Sequence, residues 1–112
     1  FLNMRLSENT LISPEKLTDY LLVFKKRNDK SRWLAQLGYT IENWKVLEYD
    51  LRKQVLSLDV VPIEKTEYGQ LYEIKENLTG PNGISLPVCT VWMIETETGI
   101  GKFITMYPDK KE

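Results

Sequence analysis

The chain has 112 residues, a net charge of −1 and no histidine. This length suits one domain with one hydrophobic core, and a hydrophobic content of 42% is ordinary for a globular protein. The absence of histidine excludes Ser-His-Asp catalysis, histidine-based zinc sites and histidine general bases. No apolar run reaches the roughly 18 residues of a membrane helix, and the start FLNMRL lacks the features of a signal peptide.

The first half of the chain predicts helices. Ser13 followed by Pro14 and Glu15 is a helix start signal, because serine caps free amides and proline fits the first helical position. An amphipathic stripe follows at Leu17, Tyr20, Leu21 and Phe24. A second short helix is expected from about 30 to 37, with Gly38 as its left-handed stop. Thr40 can cap a third helix, whose core stripe consists of Trp44, Leu47, Leu51 and Val55.

The second half of the chain predicts strands. Four β-prone runs begin near Val60, Leu71, Val88 and Lys102 and are separated by turn residues such as Asn82-Gly83. Helices followed by antiparallel strands indicate an α+β fold, with N-terminal helices packed on a C-terminal four-stranded antiparallel sheet. We expect one domain over residues 1–112, with its core in residues 12–108 and frayed ends.

Individual chemical features exclude some kinds of site but do not by themselves indicate one function. Cys89 is the only cysteine, so no internal disulfide forms, and its apolar setting VCTVWMI predicts a buried side chain. No glycine-rich phosphate loop occurs. The stretch KKRNDKSR, residues 25–32, has five basic side chains and one acid. It is either a phosphate-binding patch or an exposed junction between two helices.

A family resemblance adds to this reading. In order from about Ile12 to Pro108, the strings KLTDYLL, DKSRWLAQLGYTIENWKVLEYDLR, YGQLYEI, LTGPNG, TVWMIE and ITMYP resemble an uncharacterised bacterial domain family. Its members occur free-standing and at the C-terminal ends of polymorphic toxins, including contact-dependent inhibition proteins. The order of helices and strands also resembles the barnase, EndoU, colicin and RelE group of ribonucleases.

The resemblance implies a set of site residues. A lysine and a tyrosine of the first helix correspond to Lys16 and Tyr20, and the family often carries a His and a Gly before Lys30 that this chain lacks. RelE-like nucleases work without that histidine, with Lys, Arg and Tyr. The predicted catalytic residues are Lys16, Lys30, Arg32, Thr90, Thr105 and Tyr107, and the predicted substrate-binding residues are Lys25, Lys26, Arg27, Ser31 and Trp92. Metal ligands and cofactors are not expected.

Structural roles stay open for several of these residues. Trp92 suits a core position, Lys16 a solvated helix face, and Tyr107 beside Pro108 the closure of a sheet edge. If Thr90 and Trp92, two positions apart, share a face with Thr105 and Tyr107 on a neighbouring strand, a threonine-rich shelf results.

The resemblance implies a bacterial toxin domain with metal-independent ribonuclease activity, and tRNA is the candidate substrate. It would act in the cytoplasm after delivery as the C-terminal part of a larger secreted protein, and it would be a monomer apart from a complex with a cognate immunity protein. The pI of 5.6 does not favour an avid nucleic-acid binder. The alternatives are a non-catalytic interaction or immunity-like module that binds a protein partner, and a pseudo-enzyme that has lost its base.

Overall fold

A computed structural model describes residues 5–22 and 30–109, which form helices followed by a four-stranded antiparallel sheet. The predicted α+β fold is confirmed. Helix α1 (Pro14–Lys16) continues as a π-helical turn (Leu17–Leu21), α2 is Ser31–Ala35, and α3 (Trp44–Asp50) lies between a 3₁₀ turn (Ile41–Asn43) and a π-helical segment (Leu51–Leu56). The strands are β1 (Val61–Lys65), β2 (Gly69–Thr79), β3 (Ser85–Glu95) and β4 (Gly101–Pro108).

The helix start and stop signals agree with the structure, with one local difference. Pro14 occupies the first helical position, but the Ser13 hydroxyl donates to the Glu15 carboxylate and caps no backbone amide. Helix α2 is followed by Gly38 at φ 96°, which strongly favours glycine. A Cβ at this position would lie only 3.0 Å from the Pro81 side chain, so the turn also lacks room for a larger residue.

The third helix buries the stripe that the sequence predicts. The Thr40 and Asn43 side chains form a capping box at its start, which satisfies amides that have no partner within the helix. Leu47, Leu51 and Val55 are fully buried, while Trp44 is partly buried against the same core. Helix α3 and the π-helical segment after it therefore hold one apolar stripe against the rest of the domain.

The sheet has the strand order β1-β2-β3-β4, so β1 and β4 are its two edges. The pairing of β3 with β4 contains an irregularity: Val91 lies opposite Thr105 and Trp92 opposite Phe103, so Ile104 has no partner. A bulge of this kind bends the strand and changes where the neighbouring side chains point. Within the residues described, no helix is long and apolar enough to cross a membrane.

Candidate functional site

A lysine, a tyrosine and a threonine from three separate elements meet at the β4 edge of the sheet. The Lys30 ammonium donates to the Tyr20 hydroxyl at 3.0 Å and to Thr105 Oγ1 at 2.9 Å. The two hydroxyl oxygens lie 3.2 Å apart, which closes a triangle of polar atoms. Lys30 Nζ also lies 5.0 Å from the centre of the Tyr20 ring, within the range of a cation–π contact.

Local structure explains why these three side chains converge. Tyr20 belongs to the π-helical turn, where Leu22 donates to the Leu17 carbonyl, and such turns alter the side-chain spacing of a helix. Lys30 is the residue that precedes α2. Thr105 follows the unpaired Ile104 of the bulge in β4. A helical irregularity and a strand irregularity thus meet at one place, and both kinds of feature occur often at functional sites.

The hydrogen bonds of Lys30 leave its ammonium group able to bind an anion. An ammonium has three donors, and two of them are directed at neutral hydroxyl oxygens. Among the ion pairs of the described residues, none includes Lys30. Among the described residues, the charge is therefore held in place by neutral groups, and these account for two of its three N–H donors.

A cavity of about 520 Å³ opens beside this triangle. Its walls include Tyr20 and Thr105 together with Glu15 and Lys16 of α1. Lys16 Nζ lies 5.8 Å from the centre of the Tyr20 ring, the same ring that Lys30 approaches. Two ammonium groups therefore contact one aromatic ring at the edge of an open cavity, an arrangement that favours an anionic ligand.

Glu15 adds a carboxylate to the same cavity. The hydrogen bond from the Ser13 hydroxyl holds the pKa of the Glu15 carboxyl below its ordinary value. Hydrogen bonding to the ionised form has this effect because it stabilises the charge. The cavity is therefore lined by one cationic group, Lys16, and one ionised carboxylate, and the Lys30 ammonium is held beside it by Tyr20 and Thr105. Together these groups can serve both anion binding and proton transfer.

The other predicted site residues of the stretch 25–32 divide into two groups. Ser31 and Arg32 are the first residues of α2; Ser31 is partly buried and Arg32 is exposed. Lys25, Lys26 and Arg27 lie outside the described residues. Helix α2 has only five residues, so its N-terminal dipole adds little, and the anion-binding capacity depends on the side chain of Lys30.

Thr90 and Trp92 do not belong to this cluster, and this corrects their assignment to the site. Both are 0% exposed. Trp92 Nε1 donates to Thr90 Oγ1 at 2.7 Å, and Thr90 Oγ1 donates to the Ile74 carbonyl at 3.1 Å. The Trp92 ring packs edge-on against Phe103 at 5.2 Å. These two polar groups thus satisfy each other inside the core, and the structural interpretation of Trp92 is the right one.

Tyr107 makes different contacts from Thr105. It lies opposite Cys89 in the β3–β4 pairing. The hydrogen bond with Cys89 raises the pKa of Tyr107 to about 12. Cys89 is buried as predicted, burial raises the pKa of its thiol, and its sulfur lies 3.5 Å from Glu73 Oε2. The contacts of Tyr107, Cys89 and Glu73 are therefore separate from the triangle of Lys30, Tyr20 and Thr105.

Two residues of the cavity were missed or undervalued by the sequence reasoning. The resemblance matches Tyr20 to a family tyrosine but does not place it among the predicted catalytic or substrate-binding residues, and Glu15 is predicted only as part of a helix start. The spacing of Lys16 and Tyr20 carries a weak signal, since residues four apart lie close on one side of a helix. Whether these helical residues come close to Thr105 depends on where the sheet places strand β4.

The comparison with known families identifies the domain. A family model described as a domain of unknown function, DUF6883, matches residues 4–110. The chain belongs to this family. No curated protein and no solved structure shows significant similarity to this DUF6883 domain. Within its described residues, no three His, Cys, Asp or Glu side chains cluster in a way that could hold a metal ion.

Proposed function

We propose that this DUF6883 domain is the ribonuclease domain of a bacterial toxin system, with tRNA as the first candidate substrate. One observation carries the proposal: Lys30 is held by the hydroxyls of Tyr20 and Thr105 beside a cavity that also contains Lys16 and Glu15. Fixed cations beside an open cavity favour a phosphodiester, whose reaction builds up negative charge on the phosphoryl oxygens.

In this proposal the lysines bind the scissile phosphate. The third N–H of Lys30 donates to a non-bridging oxygen, and the two hydroxyl contacts keep the ammonium in position as charge develops. Such preorganised donors contribute about 10²- to 10³-fold to the rate. Lys16 provides a second cation at the same cavity, so the two ammonium groups together offset the charge of the phosphorane.

The chemical step uses the substrate's own 2′-hydroxyl as nucleophile. The 2′ oxygen forms a bond to phosphorus, and its proton passes to the Glu15 carboxylate. The bond between phosphorus and the 5′ oxygen breaks, and that oxygen takes a proton from the Lys16 ammonium. The products are a 2′,3′-cyclic phosphate and a 5′-hydroxyl. The reaction needs neither water nor an external cofactor, because the attacking group is already positioned within the substrate.

The charge of the chain limits the extent of the interface. With 15 basic and 16 acidic residues, the domain lacks the overall positive charge that dominates non-specific binding to nucleic acids. Recognition would therefore depend on a few local contacts around the cavity. A cognate immunity protein that carries acidic side chains would complement the same lysines and block access to RNA.

The direct test is incubation of the folded domain with total bacterial RNA, with and without a chelator, beside the variants Lys30→Ala and Lys65→Ala. Lys65 is an exposed lysine of β1, at the opposite edge of the sheet, and is the matched control. Discrete fragments with 2′,3′-cyclic phosphate ends, which survive the chelator and disappear only with Lys30→Ala, support the proposal. Intact RNA with a folded wild-type domain overturns it.

A second candidate is a non-catalytic interaction module that binds a protein partner. All five residues of β1 are exposed, including 57% of Val61 and 45% of Ile63. An exposed edge strand can pair with a strand of another protein, although Pro62 lacks an amide proton for such pairing. Capture of a bacterial protein by the wild-type domain, together with loss of capture in an Ile63→Lys variant and no RNA cleavage, favours this candidate.

A further inference from the structure

A second cavity, of about 550 Å³, lies between the first described residues and the helical segment around Tyr49 to Ser57. The buried side chains of Leu6 and Leu56 form an apolar part of its wall. Tyr49 and Lys53 contribute an aromatic ring and a cation. A concave site that combines apolar surface with a few polar groups is typical of ligand binding.

The Tyr49 side chain is exposed enough for a flat ligand to stack on its ring. It is 58% exposed, and an exposed aromatic ring can stack on a nucleobase. Lys53, one helical turn later, donates to the Tyr49 hydroxyl at 3.2 Å and lies 5.5 Å from the ring centre. The two side chains therefore hold an aromatic face and a positive charge next to each other.

The cationic side chains around this cavity differ in whether they already pair with a carboxylate. Arg5 pairs with Asp59 at 3.1 Å, and Arg52 pairs with Glu48 at 3.7 Å, so both guanidinium charges are already balanced. Among the ion pairs of the described residues, none includes Lys53. Lys53 is therefore the cation of this cavity that has no carboxylate partner among the described residues, and Glu8 is the acidic residue in the lining.

This cavity is linked to the proposed catalytic site by a short, anchored segment. Arg52 donates to the Thr10 carbonyl at 2.9 Å, and Thr10 is buried, which fixes the segment between the two cavities. Glu8 lines the second cavity and Ser13 the first. The five steps between them span at most about 18 Å, a distance that a single strand of a few nucleotides can cover.

We propose that the second cavity is a nucleobase subsite, in which Tyr49 stacks on an unpaired base of the bound RNA and Lys53 contacts the neighbouring phosphate. Exposed aromatic rings beside basic side chains are the usual means of holding single-stranded nucleic acid, because every base offers a π face. The subsite rests on the proposed function, since that function supplies RNA as the ligand. It would add affinity without base-specific hydrogen bonds.

The test measures binding separately from cleavage. A fluorescein-labelled RNA pentanucleotide with 2′-O-methyl groups cannot be cleaved by its own 2′ oxygen, so fluorescence anisotropy reports binding alone. Tyr49→Ala should raise the dissociation constant by at least about fivefold, the lower end of the range for one base–aromatic stack. Tyr49→Phe keeps the ring but loses the hydroxyl that accepts from Lys53, so it should bind more tightly than Tyr49→Ala. The control is Tyr68→Ala, which removes a tyrosine that is 69% exposed in a turn and should bind within about twofold of wild type.

An abasic series identifies the group that Tyr49 contacts. Removing one base at a time should weaken wild-type binding at one position, and that loss should vanish in Tyr49→Ala. Equal binding by wild type and Tyr49→Ala, or no binding of the oligonucleotide at all, overturns the subsite. RNA cleavage that depends on Lys30 while Tyr49→Ala binds normally refutes the subsite alone, whereas binding through Tyr49 without any RNA cleavage refutes the ribonuclease assignment alone.

Discussion

Lys30 donates to the Thr105 hydroxyl at 2.9 Å, although 75 positions separate the two residues. This bond joins the start of α2 to the edge strand β4, and Tyr20 completes it from the first helical segment. The bond therefore depends on the packed domain and cannot form within any single element. A cation positioned in this way is the central feature of the proposed site.

Removing either hydroxyl should reduce RNA cleavage while leaving the fold intact. We expect Tyr20→Phe and Thr105→Val each to lower the cleavage rate by about tenfold or more, since a hydrogen bond to a charged group contributes about 1.5–3 kcal/mol. Because both hydroxyls hold the same ammonium, the double variant should lose less than the product of the single losses. Single-turnover cleavage and thermal melting of all three variants check this, and fully multiplicative losses would contradict a shared role.

Glu15 should set the acidic limb of the pH–rate profile. Its carboxyl pKa is held below the ordinary value by the Ser13 hydroxyl, so the ionised base persists to lower pH and cleavage should fall only in that lower range. Ser13→Ala should move this limb to higher pH, and Glu15→Gln should abolish it and reduce the rate by about 10²-fold or more. Glu97→Gln, at an exposed position, is the control. A limb unchanged in Glu15→Gln excludes Glu15 as the base.

Thr90→Val should destabilise the domain although it preserves side-chain shape. The Trp92 indole N–H would lose its acceptor inside the core, and a buried donor left unsatisfied costs about 1–3 kcal/mol. Trp92→Ala should cost more, about 3–5 kcal/mol, because it also opens a cavity. Urea unfolding gives both values. A Trp92→Ala variant that is as stable as wild type and defective only in RNA binding would restore the substrate-binding assignment.

The Tyr107 phenol should lose its proton only at high pH, and the folded state should become less stable over that range of pH. Its pKa is raised to about 12 by the hydrogen bond with Cys89, whereas an unfolded tyrosine titrates near 10. The folded state thus favours the neutral phenol, so its contribution to the free energy of unfolding is complete below about pH 10 and is lost as the pH rises toward about 12. Tyr107→Phe should flatten this part of the curve of melting temperature against pH, while Tyr68→Phe should not.

The predictions taken from the sequence succeeded where local chemistry decides the outcome. The apolar stripe of the third helix, the stop at Gly38 and the turn-separated β-prone runs of the second half each follow from residues near one another in the chain, and the structure contains all of them. Helical and strand periods produce one apolar face whatever the rest of the chain does.

The candidate site was only partly predictable for a physical reason. The family resemblance predicts Lys30 and Thr105 for the site, and the structure brings them together. The same resemblance predicts Thr90, but Thr90 lies opposite Met106 in the core, while Thr105 lies opposite Val91 beside the bulge. The alternation of side chains along a strand predicts which residues share a face of the sheet. It does not reveal an extra residue, such as Ile104, that shifts the register between two strands.

By itself, the sequence determined the chemical groups available to this domain, the absence of histidine and the order of its helices and strands. Only the tertiary structure decided which of those groups meet. The register of β4 against β3 and the contact of Tyr20 with Thr105 at the β4 edge both join residues that are far apart in the chain. These long-range contacts place Lys30 beside Tyr20 and Thr105 and leave Trp92 inside the core.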